Sequence, residues 1–151
     1  MHDFPVEYFK TYFELEGTLD ELPASYSIIT AFATTGQKWT DKENQDADSC
    51  LKSELEDAGL DNWRITGYSP ATGHAEPGWA TTLSVNEACE LGRRYHQHAV
   101  FIVQDGMLSV MLCDGGKQKT VGEISKRLHT ATEARIAYPE DGLESKRIEE
   151  P

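Results

Sequence analysis

The feature that most constrains the fold is a pair of apolar runs separated by Asp105 and Gly106. The first run, at 99–103, reads Ala-Val-Phe-Ile-Val, and the second, at 107–112, reads Met-Leu-Ser-Val-Met-Leu. An Asp-Gly pair between two such runs is typical of a tight β-hairpin, because both turn residues adopt a positive φ that Asp and Gly tolerate. The sequence therefore predicts two adjacent antiparallel strands, and with them a β-sheet.

Two helix starts are marked by capping boxes, in which a Ser or Thr and a Glu three residues later satisfy the first free backbone N–H groups. Thr40 and Glu43 form the first box and open a helix that we expect to cover 40–58. Ser84 and Glu87 form the second box. Each box is followed by apolar residues at helical spacing, so the sequence predicts two amphipathic helices that pack on the sheet.

The remaining periodic segments complete the order of elements. Runs at 26–33, 63–68 and 79–85 are rich in β-branched and aromatic residues, as strands are. Apolar residues at helical spacing over 4–16 predict a short amphipathic helix, and 121–128 is compatible with a terminal one. Without that last segment the order is α-β-α-β-β-α-β-β. This order indicates an α/β fold of the α+β type: one mixed, largely antiparallel sheet with helices packed on it.

Composition divides the chain into three parts. We expect an N-terminal helix and connector at 1–25, a single α/β domain at 26–128 and a polar, disordered, acidic tail at 129–151. No apolar run reaches the roughly 18 residues of a membrane-spanning helix. The acidic N-terminus lacks the basic and apolar regions of a signal peptide. We therefore expect a cytoplasmic protein that is not associated with a membrane.

The formal net charge of −12 bears on the class of partner. The segment 41–61 has eight acidic residues and two lysines. Such a field repels phosphate backbones, so nucleic acid is an unfavourable partner, whereas a basic protein or a small polar ligand is a better one. Solubility alone also explains the acidity.

Three cysteines occur at Cys50, Cys89 and Cys113, without any CxxC pair. Each lies in a segment with apolar periodicity, so we predict small buried side chains in a reducing compartment. No set of Cys and His residues has the spacing of a zinc site. The sequence accordingly predicts no metal and no cofactor.

The richest chemistry lies in the loop expected after the strand at 63–68. It reads Gly-His-Ala-Glu-Pro-Gly over 73–78 and is followed by Trp79. Glu76 is a candidate general base, and His74 is a candidate proton partner or substrate contact. The alternative is an exposed, solvated pair that does not act together. Trp79 is either a core residue or a stacking lid over a ligand.

Three further polar residues are candidate ligand contacts. Asn44 lies on the buried stripe of the first capped helix, where its amide must find hydrogen-bond partners in a neighbouring loop or in a ligand. Gln97 follows the second helix, and Thr30 lies near the end of the first strand. We expect Asn44 and Gln97 to orient a substrate if one binds.

Several short motifs recur in one known family. They are Ile-Ile-Thr-Ala at 28–31, Asn44, Leu51 and Leu55, Gly67 and Pro70, Gly73-His74, Glu76-Pro77, and Tyr-His-Gln-His-Ala at 95–99. With these residues the segment 26–113 resembles an uncharacterised bacterial and phage family, the domain-of-unknown-function family numbered 3293. This chain has Gly78 where the family more often has Ser, and Tyr95-His96 where the family more often has Phe-Gly.

The resemblance implies a shared fold and a shared polar cluster, but no activity. Its polar positions are Asn44, Glu76 and Gln97, which fall at a helix start, in a loop and at a helix end. In one compact layer of sheet and helices these side chains would converge. We state that convergence as a hypothesis.

Three functions remain open. The first is a binding or regulatory module. Its docking face would be the acidic first helix with the acidic segment 41–61, or a polar pocket around Asn44, Glu76 and Gln97. The second is a small hydrolase or transferase that acts on a polar or nucleotide-like substrate, with Glu76 as general base. The third is a structural role in which the polar motif only holds loops together. The lack of a complete catalytic signature favours the first.

Overall fold

The structure is a computed structural model that describes residues 6–32, 40–114 and 116–130. The described part contains two α-helices and eight strands in one sheet. The helices are α1 (Asp41–Asp57) and α2 (Val85–Arg94). The strands are β1 (Tyr12–Leu15), β2 (Tyr26–Ile29), β3 (Asn62–Tyr68), β4 (Ala75–Thr81), β5 (Ala99–Gln104), β6 (Met107–Leu112), β7 (Gln118–Glu123) and β8 (Leu128–Thr130). Short 3₁₀ helices cover Val6–Lys10, Leu19–Glu21 and Ile124–Lys126.

The strands follow the order β7-β6-β5-β2-β4-β3-β1-β8. Every neighbouring pair is antiparallel except β1 and β8, which run parallel. The sheet is therefore mixed and largely antiparallel, with two helices packed against it. The fold class predicted from the sequence is confirmed.

The sheet curls strongly, as one contact between distant strands shows. Phe13 on β1 and Phe101 on β5 pack edge to face with ring centroids 5.1 Å apart. Three strands lie between β1 and β5 in the sheet order. In a flat sheet with strands about 4.8 Å apart, the two rings would be separated by about 19 Å. The sheet must therefore bend around its inner face.

The two faces of the sheet carry separate apolar clusters. The inner cluster fills the curl and consists of Phe13, Leu15, Tyr26, Ile28, Ile65, Ala80, Val103, Leu108, Ile124 and Leu128. The outer cluster lies under the helices and includes Leu51 and Leu55 of α1, Ala88 and Leu91 of α2, and strand residues such as Ile29 and Trp79. Side chains on a strand alternate between the faces. For this reason Trp79 faces the helices and Ala80 faces the curl.

Both helices begin as the sequence predicts. In α1 the Thr40 hydroxyl accepts a hydrogen bond from the Glu43 backbone, and the Glu43 carboxylate accepts one from the Thr40 backbone. The same reciprocal pair joins Ser84 and Glu87 at the start of α2. Because each box satisfies two otherwise free N–H groups, the helix starts are fixed locally.

The hairpin between β5 and β6 is also confirmed. Asp105 and Gly106 have φ values of 50° and 84°, as a tight hairpin turn requires. Gln104 pairs with Met107 across the turn, and the register continues to Ala99 and Leu112.

The helix predicted over 4–16 is wrong in its second half. Tyr12–Leu15 is a strand with alternating burial, and it lies in the sheet between β3 and β8. Only Val6–Lys10 is helical, as a 3₁₀ turn. In so short a run the apolar residues fit both a helical spacing and the alternating burial of Phe13 and Leu15. The segment is a strand because it pairs with two neighbouring strands.

The C-terminal expectations also need correction. The segment 121–128 is not an α-helix, because it contains the end of β7 and the 3₁₀ helix Ile124–Lys126. The expected tail begins at 129, but β8 includes both His129 and Thr130. Residues 131–151, for which disorder was predicted, lie outside the described residues. Apart from the 3₁₀ turns, the observed order is β-β-α-β-β-α-β-β-β-β: a strand replaces the predicted first helix, and β7 and β8 follow the predicted last strand.

No helix among the described residues is long and apolar enough to span a bilayer.

The cysteines differ in burial: Cys89 and Cys113 are buried as predicted, but Cys50 is exposed on α1. Cys50 precedes the buried Leu51 by one residue, so it lies beside the apolar stripe of the helix rather than on it.

Candidate functional site

His74 and Glu76 lie together at the junction of β3 and β4. The turn between these strands is closed by hydrogen bonds from Gly73 N to Ser69 O (2.7 Å) and from Ser69 N to His74 O (2.9 Å). β4 begins at Ala75, so Glu76 is a strand residue and not the loop residue that we predicted. The tight turn places His74 Nε2 3.0 Å from Glu76 Oε2. The two residues are two positions apart, so their side chains lie on the same side of the extended backbone and form a pair.

The pair lies at the rim of the curled sheet. Glu76 pairs with Gly67 on β3. A Cβ added at Gly67 would lie 3.4 Å from the Phe13 ring, so this position faces the inner cluster. The Glu76 side chain is 28% exposed and the His74 side chain 69%. In the tautomer with hydrogen on Nε2, His74 donates to Glu76, and Nδ1 of the exposed ring is then an acceptor for a proton.

Tyr8 is a neighbour of this pair that the sequence did not identify. Its ring packs edge to face on Phe101, with centroids 5.9 Å apart. Burial raises the pKa of Tyr8, and the negative charge of Glu76 raises it further. Tyr8 thus keeps its proton and stands within electrostatic reach of Glu76. No sequence signal indicated this proximity, because it arises from the curl of the sheet.

Trp79 is a core residue and not a stacking lid. It is 6% exposed and belongs to the outer cluster. The Arg64 guanidinium covers its ring at 3.8 Å from the centroid and forms two bonds to Asp48, at 3.0 and 2.6 Å. Arg64 also donates to Gly78 O at 3.2 Å. This stack ties α1 to β3 and β4.

Thr30 holds the ends of β2 and β4 together. Its hydroxyl donates to Pro77 O at 2.7 Å and accepts from Phe32 N at 3.1 Å. Beside this bond, Gly78 leaves no space for a side chain, since a Cβ there would lie 2.6 Å from Ile29 O. The Ser that the family more often has after Glu-Pro would not fit this backbone unchanged.

Gln97 is buried and bonded to the backbone. Its side-chain amide donates to Phe32 O at 2.8 Å and to Tyr95 O at 3.1 Å, so it fixes the segment that follows β2. The preceding residue, His96, has a φ of 62°, in the region that favours glycine. The Phe-Gly pattern of the family is therefore the easier sequence for this turn.

Asn44 lies on the helix side of the sheet. It is half-buried in the first turn of α1, which packs on the outer face. Glu76 lies three residues before Trp79 on the same strand, so its side chain is on the opposite face of the sheet. It shares the inner face with Ala80. Asn44 and Glu76 thus belong to opposite faces, which does not support the hypothesis that Asn44, Glu76 and Gln97 converge. The structure joins His74 to Glu76 and Thr30 to Pro77 instead.

The exposed side of α1 is acidic. Lys42 pairs with Asp46, Lys52 pairs with Glu56, and Glu54 pairs with Arg94 of α2. Asp41 and Asp57 have no ion pair with a residue in the described ranges, and both are exposed. Within those ranges, no three His, Cys, Asp or Glu side chains converge in a way that could hold a metal ion.

Comparison with known proteins agrees with the resemblance drawn from the motifs. No curated protein and no solved structure matches the chain. A family model matches residues 29–100, just under half of the 151 residues, and lies within the segment 26–113 that the motifs had indicated. Over residues 29–100 this chain therefore resembles the family described as protein of unknown function (DUF3293).

Proposed function

We propose that this domain is a binding module that docks a basic protein surface through the exposed acidic side of α1. The observation that carries the proposal is the charge at the C-terminal end of this helix. Its last turn contains Glu54, Glu56 and Asp57 and no basic residue. The C-terminus of a helix dipole is negative, so each acid there costs about 0.3–1 kcal/mol of helix stability.

Glu54 and Glu56 are each paired with a basic residue, but Asp57 has no ion pair within the described ranges, so helix stability does not explain its charge. Asp61, just beyond the helix, is also exposed and extends the same negative surface. Both lysines of α1 are engaged in pairs within the helix. An acidic surface of this kind raises the association rate with a basic partner and discriminates against acidic ones.

The test is a charge reversal with a matched control. The variant Asp57→Lys with Asp61→Lys changes the α1 surface, and Glu16→Lys with Asp20→Lys changes two exposed acids outside α1 by the same amount. We expect that the immobilised wild type and the control variant both retain a protein from cell lysate, and that the α1 variant does not retain it. Retention should also weaken as salt rises.

Stability separates this result from simple unfolding. Asp57→Lys places a cation at the negative end of the dipole, so the α1 variant should melt at or above the wild-type temperature. Loss of retention together with unchanged or raised stability supports docking through α1. If every retained protein binds both variants equally, the acidic side of α1 is not a docking surface.

A second candidate function has a specific observation in its favour, the 3.0 Å contact between His74 and Glu76. An exposed imidazole oriented by a carboxylate can act as a general base in a small hydrolase or transferase on a polar or nucleotide-like substrate. In this geometry His74 is the base, and Glu76, which the sequence suggested as general base, orients it.

A thermal-shift screen with nucleotides and polar metabolites tests this second function. A compound that binds the folded state raises the melting temperature of the wild type. The shift should disappear in Glu76→Gln and persist in Glu123→Gln, a substitution of an exposed Glu on β7. A shift that survives Glu76→Gln would place the ligand elsewhere.

A further inference from the structure

Cys89 and Cys113 are brought together by the packing of α2 on the sheet. Cys89 lies in α2, and Cys113 directly follows β6. Cys89 is 7% and Cys113 2% exposed, and both belong to the cluster under the helices. Both are free thiols, and they lie 24 positions apart in the chain.

Gly92 shows how closely the sulfur of Cys113 approaches α2. A Cβ at Gly92 would lie 2.8 Å from Cys113 Sγ, so this sulfur rests on the backbone of the helix. Cys89 is three residues earlier, on the same side of the helix as Gly92. Its Sγ lies 4.0 Å from the carbonyl oxygen of Leu112, the residue before Cys113, so both thiols lie at the contact between α2 and the end of β6. A disulfide joins residues whose Cα atoms lie about 4.4–6.8 Å apart, a separation that residues on the two sides of one helix–strand contact can reach.

The surroundings make these thiols slow to react with external reagents. Burial raises the pKa of Cys113 to about 12 and also raises the pKa of Cys89. The Arg93 guanidinium donates a hydrogen bond to Cys113 O. Its positive charge lowers the pKa of both thiols and so offsets part of each increase. Since the thiolate is the attacking species, the more exposed Cys89 should react first.

We propose that Cys89 and Cys113 are a modification site, at which a low-molecular-weight disulfide forms a reversible intramolecular bridge between α2 and the end of β6. The Cys89 thiolate attacks the small disulfide and releases one thiolate from it. The Cys113 thiolate then attacks the Cys89 sulfur and releases the second. The protein loses two protons and two electrons, and the small disulfide becomes two thiols.

The bridge would act on the turn that follows α2. Cys113 N already donates to His98 O at 2.8 Å, and Gln97 in the same turn holds Phe32 O. A covalent tie from α2 to Cys113 would enclose this turn and restrict its movement. It would also constrain the unfolded chain, which raises the melting temperature.

The experiment uses the full chain with Cys50→Ser, because the exposed Cys50 could otherwise link two molecules. The folded protein is incubated with glutathione disulfide, then denatured and alkylated with a maleimide. Intact mass and peptide mapping report the state of the two remaining thiols. We expect a loss of two hydrogens, no maleimide uptake, and a cross-linked peptide containing Cys89 and Cys113.

The matched control adds Cys89→Ala, which leaves Cys113 as the last cysteine. Its thiol should then take up maleimide or remain a mixed disulfide. The oxidised Cys50→Ser protein should melt at a higher temperature than its reduced form. Two alkylated thiols after oxidation, or stable mixed disulfides without a bridge, would overturn the proposal. A bridge that lowers the melting temperature would overturn it too, since it would then require a distorted fold.

Discussion

Replacing Gly78 with Ala tests how closely β2 and β4 approach each other. A Cβ at this position would lie 2.6 Å from Ile29 O and 3.2 Å from the Thr30 Cα. Both are backbone atoms, so no side chain can rotate out of the way. Ordinary contacts begin at 3.4 Å, which means that the strands must separate by about 0.8 Å at this point.

The cost follows from that separation. Introducing an atom into a well-packed region costs about 1–3 kcal/mol. The Thr30 hydroxyl bond to Pro77 O, now 2.7 Å, would stretch to about the limit of a hydrogen bond. Its loss adds about 1 kcal/mol. We therefore expect Gly78→Ala to lower the free energy of unfolding by about 2–4 kcal/mol.

Urea unfolding measures this value, with Gly67→Ala as the control. A Cβ at Gly67, also a strand residue, would meet only the side-chain ends of Thr11 (3.3 Å) and Phe13 (3.4 Å), which can shift. The control should cost less than about 1 kcal/mol. Thr30→Val should then cost less in the Gly78→Ala background than in the wild type, because the bond is already weakened. Equal losses for the two glycine substitutions would refute this account of the close approach.

Two other substitutions have predicted signs. His96→Gly should raise the free energy of unfolding by up to about 1 kcal/mol, because the strain relieved at a φ of 62° exceeds the cost of a more flexible unfolded chain. Urea unfolding measures this change, and an unchanged or lower free energy of unfolding contradicts the prediction. The hydrogen bond from Arg94 lowers the pKa of Glu54. The wild type should therefore exceed Glu54→Gln in stability near neutral pH, and this advantage, below about 1 kcal/mol for a partly exposed pair, should vanish on acidification through the lowered pKa. A difference that does not change with pH contradicts it.

The parts of the fold that the sequence predicted are those specified by neighbouring residues. Capping boxes at Thr40 and Ser84 act within one helical turn, and Asp105-Gly106 sets its own backbone angles. Such signals do not depend on the remainder of the chain. They suffice to identify the helices, the hairpin and the class of fold.

The missed elements depend on residues far apart in the chain. β1 fits two periodicities, and it becomes a strand because it pairs with β3 and with β8, which lies more than a hundred residues later. β8 has only three residues, too few for a periodic signal. Tyr8 packs against Phe101 of β5, a residue far from it in the chain. No local pattern encodes these contacts.

The candidate site residues differ in what holds them, and this difference separates structural from functional roles. The side chains of Gln97 and Thr30 are bonded to backbone groups. Their removal should destabilise the fold whether or not a ligand exists. In the His74–Glu76 pair His74 is exposed and Glu76 is half-buried, and pairs that solvent reaches contribute at most about 1 kcal/mol. A loss of ligand binding on Glu76→Gln therefore cannot be attributed to unfolding, so this pair is the clearest position at which to look for chemistry.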